Sequence, residues 1–69
     1  MSELHLTLNG EERVLPTAVT VSGLLASLGL DPRMVVVELN REIVRTPRLE
    51  EVMLRNGDQV ELVHFVGGG

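Results

Sequence analysis

Reactive side chains are scarce in this sequence. With no Cys, the nucleophile inventory is Ser and Thr hydroxyls alone, and neither a disulfide framework nor a zinc–thiolate site can form. The candidate bases are His5 and His64, one near each end of the chain, and the adjacent carboxylates Glu50 and Glu51. There is no Gly-x-Ser-x-Gly elbow, no phosphate-cradling Walker loop, no His-Glu-x-x-His pair and no acidic calcium loop. Two histidines are too few to hold a metal. The sequence places them on strand surfaces and predicts Glu50 and Glu51 as solvated, so no catalytic residue and no metal site is expected.

The carboxyl terminus offers different chemistry. Gly67, Gly68 and Gly69 have no Cβ, so they can thread a channel closed to other residues. Three residues reach roughly 10 Å beyond Val66, far enough to carry the Gly69 carboxylate into another protein's active site. The same glycine run is also what a cloning scar, a severed linker or a frayed end leaves behind.

The elements that would hold this tail follow from periodicity. Leu4-His5-Leu6-Thr7-Leu8 alternates strictly, the pattern of a half-buried strand. Asn9-Gly10 is a strong hairpin signal because both residues tolerate positive φ. Glu11 and Glu12 are expected to widen that loop before Arg13-Val14-Leu15 forms the return strand, which Pro16 ends. Val21, Leu24, Leu25 and Leu28 fall on one stripe of a helix. Thr20 or Ser22 caps its start, Gly29 suits its αL stop, and Gly23 marks close packing on the sheet. Asp31-Pro32 makes the exit turn.

Val35-Val36-Val37-Glu38-Leu39 reads as a central strand, Asn40-Arg41 as a turn and Glu42-Ile43-Val44 as a short return strand ended by Thr46-Pro47. Leu49 with Val52 or Met53 suggests one helical turn. Asn56-Gly57-Asp58 is a tight turn, and residues 59–66 form the last strand. The helix lies in the connection between strands two and three, as in a right-handed crossover. The expected fold is α+β: a roll with a mixed sheet of four to five strands and one helix packed across it. Residues 1–66 make the domain and 67–69 the glycine tail.

On the last strand Val60, Leu62 and Val66 are expected inward, with Glu61, Val63 and Phe65 outward. Phe65, the only aromatic residue, then lies beside the tail as a docking anchor. A bulge that turned Phe65 inward, or its use to cover the sheet rim, is the alternative.

Composition bounds the rest. Sixty-nine residues make one small domain that buries only about 60% of its unfolded surface, with no room for a large cleft. Ten acids against six bases, all Arg, give a net charge of −4. That balance argues against nucleic acid as a partner and matches ordinary solubility charge. No apolar run is long enough to span a membrane. No basic-then-apolar leader precedes Leu4, so the expected compartment is the cytoplasm.

Taken together, the β-β-α-β-β order, the Val21…Leu28 stripe, residues 35–44 and the ending from Asn56 to Gly69 resemble the ThiS family over nearly the whole chain. One departure is visible: Arg45-Thr46 stand between the Ile-Val pair and Pro47, where the family often has Pro directly. The resemblance implies a ubiquitin-like β-grasp fold and a sulfur carrier of thiamine biosynthesis that is not itself an enzyme. A ThiF-like adenylyltransferase would use ATP and magnesium to convert the Gly69 carboxylate to an acyl-adenylate. A persulfide-bearing sulfur donor enzyme would supply the sulfur for a Gly69 thiocarboxylate, and thiazole synthase would accept it. The carrier itself would bind no cofactor. Gly67 and Gly68 would be the threading residues, with Phe65, Val66 and Val63 the docking ones. Carriers of the same fold for molybdopterin, tRNA thiolation or cysteine, a ubiquitin-like protein modifier, and a non-covalent module with an inert tail are the alternative readings. The absence of prolines in His64-Phe65-Val66 speaks against the molybdopterin carrier.

Overall fold

In the computed structural model, which describes residues 3–65, the alternating leucines of β1 (Leu4–Leu8) all point to one side. Leu4, Leu6 and Leu8 are buried, while His5 is exposed. β1 turns into β2 (Glu11–Leu15) through Asn9 and Gly10, at φ 51° and 83°. A two-residue turn with both φ values positive matches the twist of the paired strands. Glu11 and Glu12 therefore do not widen the loop: Glu11 pairs with Leu8 and Glu12 with Thr7, so β2 begins two residues before the predicted Arg13.

Helix α1 (Val21–Ser27) buries Val21, Leu24 and Leu25 completely. Thr20, rather than Ser22, caps it: its Oγ1 accepts the Gly23 N–H at 3.0 Å. Gly29 takes the left-handed conformation at φ 71°. Gly23 does not mark an approach to the sheet. A Cβ there would lie 3.2 Å from the Cβ of Val19, so the crowding comes from the segment leading into the helix. After α1, Asp31 accepts the Arg33 N–H at 2.9 Å and opens a short 3₁₀ helix, Pro32–Met34, where a simple turn was expected.

β3 (Val35–Leu39) and β4 (Glu42–Val44) form the second hairpin, closed by Asn40 and Arg41 at φ 51° and 73°. The predicted helical turn is a 3₁₀ helix at Arg48–Glu50 that buries Leu49. Val52 is half-buried, whereas Met53 is 52% exposed and makes only an isolated bridge to Thr20. β5 (Gln59–His64) completes the sheet and stops short of the predicted Val66. Val66, Gly67, Gly68 and Gly69 lie outside the described residues.

The five strands run β2-β1-β5-β3-β4. β5 lies parallel to β1 and antiparallel to β3, so the last strand of the chain occupies the centre. Strands two and three are not neighbours: α1 carries the chain from β2, at one edge, to β3 beyond β1 and β5. The parallel contact is made by β1 and β5 instead. α1 and the Leu49 turn cover one face of this mixed sheet, and among the described residues the buried core is aliphatic, eleven Leu and Val side chains. With no Trp, no Tyr and one Phe in the sequence, the core had almost no aromatic material to draw on.

Polar side chains fix the position of β5. Asn40 donates from Nδ2 to Asp58 at 3.1 Å and accepts the Gln59 N–H at 2.9 Å. Asp58 in turn accepts the Arg55 N–H at 2.8 Å. Among the described residues no buried polar side-chain atom lacks a partner, which a core this small requires.

Candidate functional site

The parallel pairing of β1 and β5 decides at which end of the sheet β5 stops. Gly57 donates to the His5 carbonyl at the start of β1, and β5 then runs beside β1 and past its end. At the far end the Phe65 N–H bonds the carbonyl of Met34, the residue before β3, at 2.8 Å, so the backbone is still held one residue beyond β5.

The two histidines do not meet. Thr7 is level with Gln59, so His64 lies seven residues along the strand from the level of His5, roughly 23 Å at strand rise. His5 instead lies between exposed carboxylates, with Nε2 3.5 Å from Glu3 and Nδ1 3.6 Å from Glu12. Among the described residues no three His, Asp or Glu side chains gather as a metal would need. Glu50 and Glu51 are exposed. An open hollow of about 510 Å³, lined by Leu4, Pro16, Leu54 and Asn56 among others, lies at the end of the sheet where β1 begins, opposite the end at which β5 stops.

The face of the sheet turned away from α1 carries the apolar surface. Val63 is 58% exposed and Phe65 49%, so these two of the three predicted docking residues point outward and the inward-bulge alternative fails; the third, Val66, lies outside the described residues. Val36 pairs with Val63 on the same face, and Ile43, 52% exposed, pairs with Glu38 one row away. Sequence reading missed Val36 and Ile43. Their signal was present: Glu38 must point outward, and Val36 shares its parity on β3. The charged residue it missed is Glu38, the cross-strand neighbour of the outward Glu61 on this face. Thus an apolar patch with a carboxylate pair lies beside the last strand, next to Val66 and the tail in sequence. Among the described residues no helix is long and apolar enough to cross a membrane.

A mixed five-stranded sheet in this order with a single helix packed across it is the ubiquitin-like β-grasp fold. The crystal structure of the thiamine biosynthesis protein ThiS from Geobacter metallireducens superposes with a TM-score of 0.81 at 32% identity, covering 96% of this chain and all of that one. The sequence model of the ThiS family matches residues 3–69, and the chain belongs to the ThiS family. The sulfur carrier protein ThiS of Bacillus subtilis is 45% identical over 65 residues, which cover 93% of this chain and 98% of that protein. The thiazole synthase of Paramagnetospirillum magneticum is 46% identical over 66 residues, 96% of this chain. The chain spans only 20% of that synthase's length.

Proposed function

We propose that this chain is a cytoplasmic sulfur carrier of thiamine biosynthesis whose working group is the Gly69 carboxylate. The supporting observation is the placement of Val63, on a strand fixed within the sheet, and Phe65, just past its end and held by the Met34 carbonyl: both are exposed, next in sequence to the residues that lead to Gly69. The domain docks by this patch, and Gly67 and Gly68 thread the terminus into the partner.

A carboxylate is a poor electrophile, so a ThiF-like adenylyltransferase first attaches AMP. A carboxylate oxygen attacks the α-phosphorus of ATP, with magnesium on the phosphates, and pyrophosphate leaves. The terminal sulfur of a donor enzyme's persulfide then attacks the acyl carbon and expels AMP. A thiol cleaves the remaining S–S bond and departs as a disulfide, leaving the Gly69 thiocarboxylate. That thiol belongs to a partner, since this chain has no Cys. Thiazole synthase accepts the sulfur, and water restores the carboxylate. The thiazole synthase that contains a stretch 46% identical to this chain supports that pairing.

Intact-mass spectrometry after incubation with the cognate adenylyltransferase, ATP and a sulfur donor tests the reading. One oxygen should be exchanged for sulfur, and a chain with one residue added after Gly69 should gain none. No mass change while pyrophosphate release proves the enzyme active, or full activity of the extended chain, overturns it.

A further inference from the structure

The hydrogen-bond directions along β5 leave part of its backbone open. In an antiparallel ladder successive residues turn their N–H and C=O alternately toward and away from the partner strand. The Phe65 N–H bonds the Met34 carbonyl and the Gln59 carbonyl accepts the Asn40 N–H, both at 2.8 Å. Gln59, Glu61, Val63 and Phe65 therefore face β3, while Val60, Leu62 and His64 face the β1 side. β1 serves only the first of these: the Asn9 N–H donates to the Val60 carbonyl at 2.9 Å, and the chain then turns away through Gly10. The Asn9 side chain adds one more bond, its Oδ1 accepting the Leu62 N–H at 2.8 Å. Beyond that, the Leu62 carbonyl and the N–H and carbonyl of His64 have no hydrogen-bond partner among the described residues.

We propose that this edge, residues 62–64, is a binding site for an extended backbone segment of the partner adenylyltransferase. The segment adds a strand beside β5 and sets the course along which the terminal glycines leave the domain. The inference rests on the carrier reading above. Strand addition takes affinity from main-chain hydrogen bonds and specificity from alternate side chains. Here those side chains would lie against Val63 on the open face and against Leu62 and His64 on the other.

The remaining edges of the sheet are guarded. β2 carries Glu11, Glu12 and Arg13, and β4 is three residues long with Glu42 exposed. Charges and short length are the usual devices against unwanted pairing. The open β5 stretch is as short as β4, but Leu62-Val63-His64 carries no Asp, Glu, Lys or Arg. A second copy of this chain is a poor occupant. The Asn9–Gly10 turn borders the open edge, so pairing two copies would bring their Glu11–Glu12 corners together, on chains that each carry −4. A segment of a different protein, neutral or basic, fits.

His64→Pro tests this directly. Proline removes only the N–H that faces the open edge and keeps the β3 ladder, whose bonds come from Val63 and Phe65. With the cognate adenylyltransferase, His64→Pro should fall about tenfold in kcat/KM below His64→Ala, which keeps that N–H. Equal rates for the two variants overturn the proposal. Should His64→Pro fail to fold, amide hydrogen exchange on the wild-type chain gives the second reading. The His64 amide should slow about tenfold when the enzyme is bound without ATP, while the Val63 amide, already in the ladder, serves as reference. An unchanged His64 amide in a saturated complex sinks the idea. If sulfur is still acquired in that case, only the edge proposal is lost; if no sulfur is acquired with active enzyme, the carrier reading falls instead.

Discussion

Glu38 and Glu61 stand directly opposite each other across the β3–β5 ladder, on the face of the sheet that no helix covers. Side chains so placed have Cβ atoms about 5 Å apart, and like charges in that position destabilise a sheet. Glu61→Gln should therefore raise stability by about 0.2–1 kcal/mol at low ionic strength. The gain should shrink as salt is added, because exposed charges are screened. Urea midpoints measured at two salt concentrations check this; an unchanged or lowered midpoint at low salt would show that the carboxylates do not repel.

The helix cap gives a second test. α1 has seven residues, too few to be stable alone, so its first turn depends on local support. Thr20 Oγ1 supplies it through the 3.0 Å bond from the Gly23 N–H. Thr20→Ala should cost about 1 kcal/mol, which for a domain of this size lowers Tm by about 4–8 °C. Thr20→Ser, which keeps the acceptor, should recover most of the loss in the same melting experiment.

Where local chemistry sets a feature, the sequence reveals it. Asn9-Gly10 and Asn40-Arg41 are turns because their backbones take positive φ, and the Val21, Leu24, Leu25 stripe is buried as its spacing requires. The exposure of Val63 and Phe65 follows from alternation counted forward from the buried Val60. What periodicity cannot give is strand order. β5 reaches the centre of the sheet because Thr7 and Leu8 pair with Gln59 and Val60, some fifty residues away, and nothing in either segment encodes that choice locally. The Asn9 side chain on the Leu62 N–H, and the open edge that follows, depend on the same long-range pairing. Glu11 and Glu12 were misplaced for a related reason: two glutamates look like a loop, but an edge strand tolerates them because one side of it meets water.

Core truncation sets the scale against which surface changes are judged. Leu24 is completely buried between α1 and the sheet. Leu24→Ala should cost about 2–5 kcal/mol, a large part of what a domain of this size has. Denaturant titration should place its midpoint well below those of the Glu61 and Thr20 variants; a loss under about 1 kcal/mol would mean that the core readily collapses around the cavity.

Asp31 carries a pH dependence of known sign. Hydrogen bonds from the Arg33 side chain and then from its backbone N–H lower the Asp31 carboxyl from 3.8 to about 2. A carboxyl depressed in the folded state contributes stability that is fully present above its unfolded value and disappears as pH falls through its folded one. The difference between wild type and Asp31→Asn should thus be flat above about pH 5 and vanish between about pH 4 and pH 2. Thermal melts of both proteins across that range check it. A gap that persists at the acid end would assign the effect to something other than ionisation.

Phe65 separates docking from folding most cleanly. It is 49% exposed and absent from the aliphatic core, so Phe65→Ala removes little buried area from the domain. The expected change in Tm is a few degrees at most, within the range of surface substitutions, about 0.5 kcal/mol. A buried aromatic anchor at an interface, by contrast, costs about 2 kcal/mol or more when truncated, roughly thirtyfold in affinity. Adenylation of Phe65→Ala by the cognate enzyme should therefore show a raised KM with kcat little changed, since the glycines and the Gly69 carboxylate are untouched. Val63→Ser should act in the same direction and more weakly, because Val63 presents less surface. A normal KM with a large fall in Tm would make Phe65 a structural residue of the sheet rim, and the docking patch would then have to be drawn around Val36 and Ile43 instead.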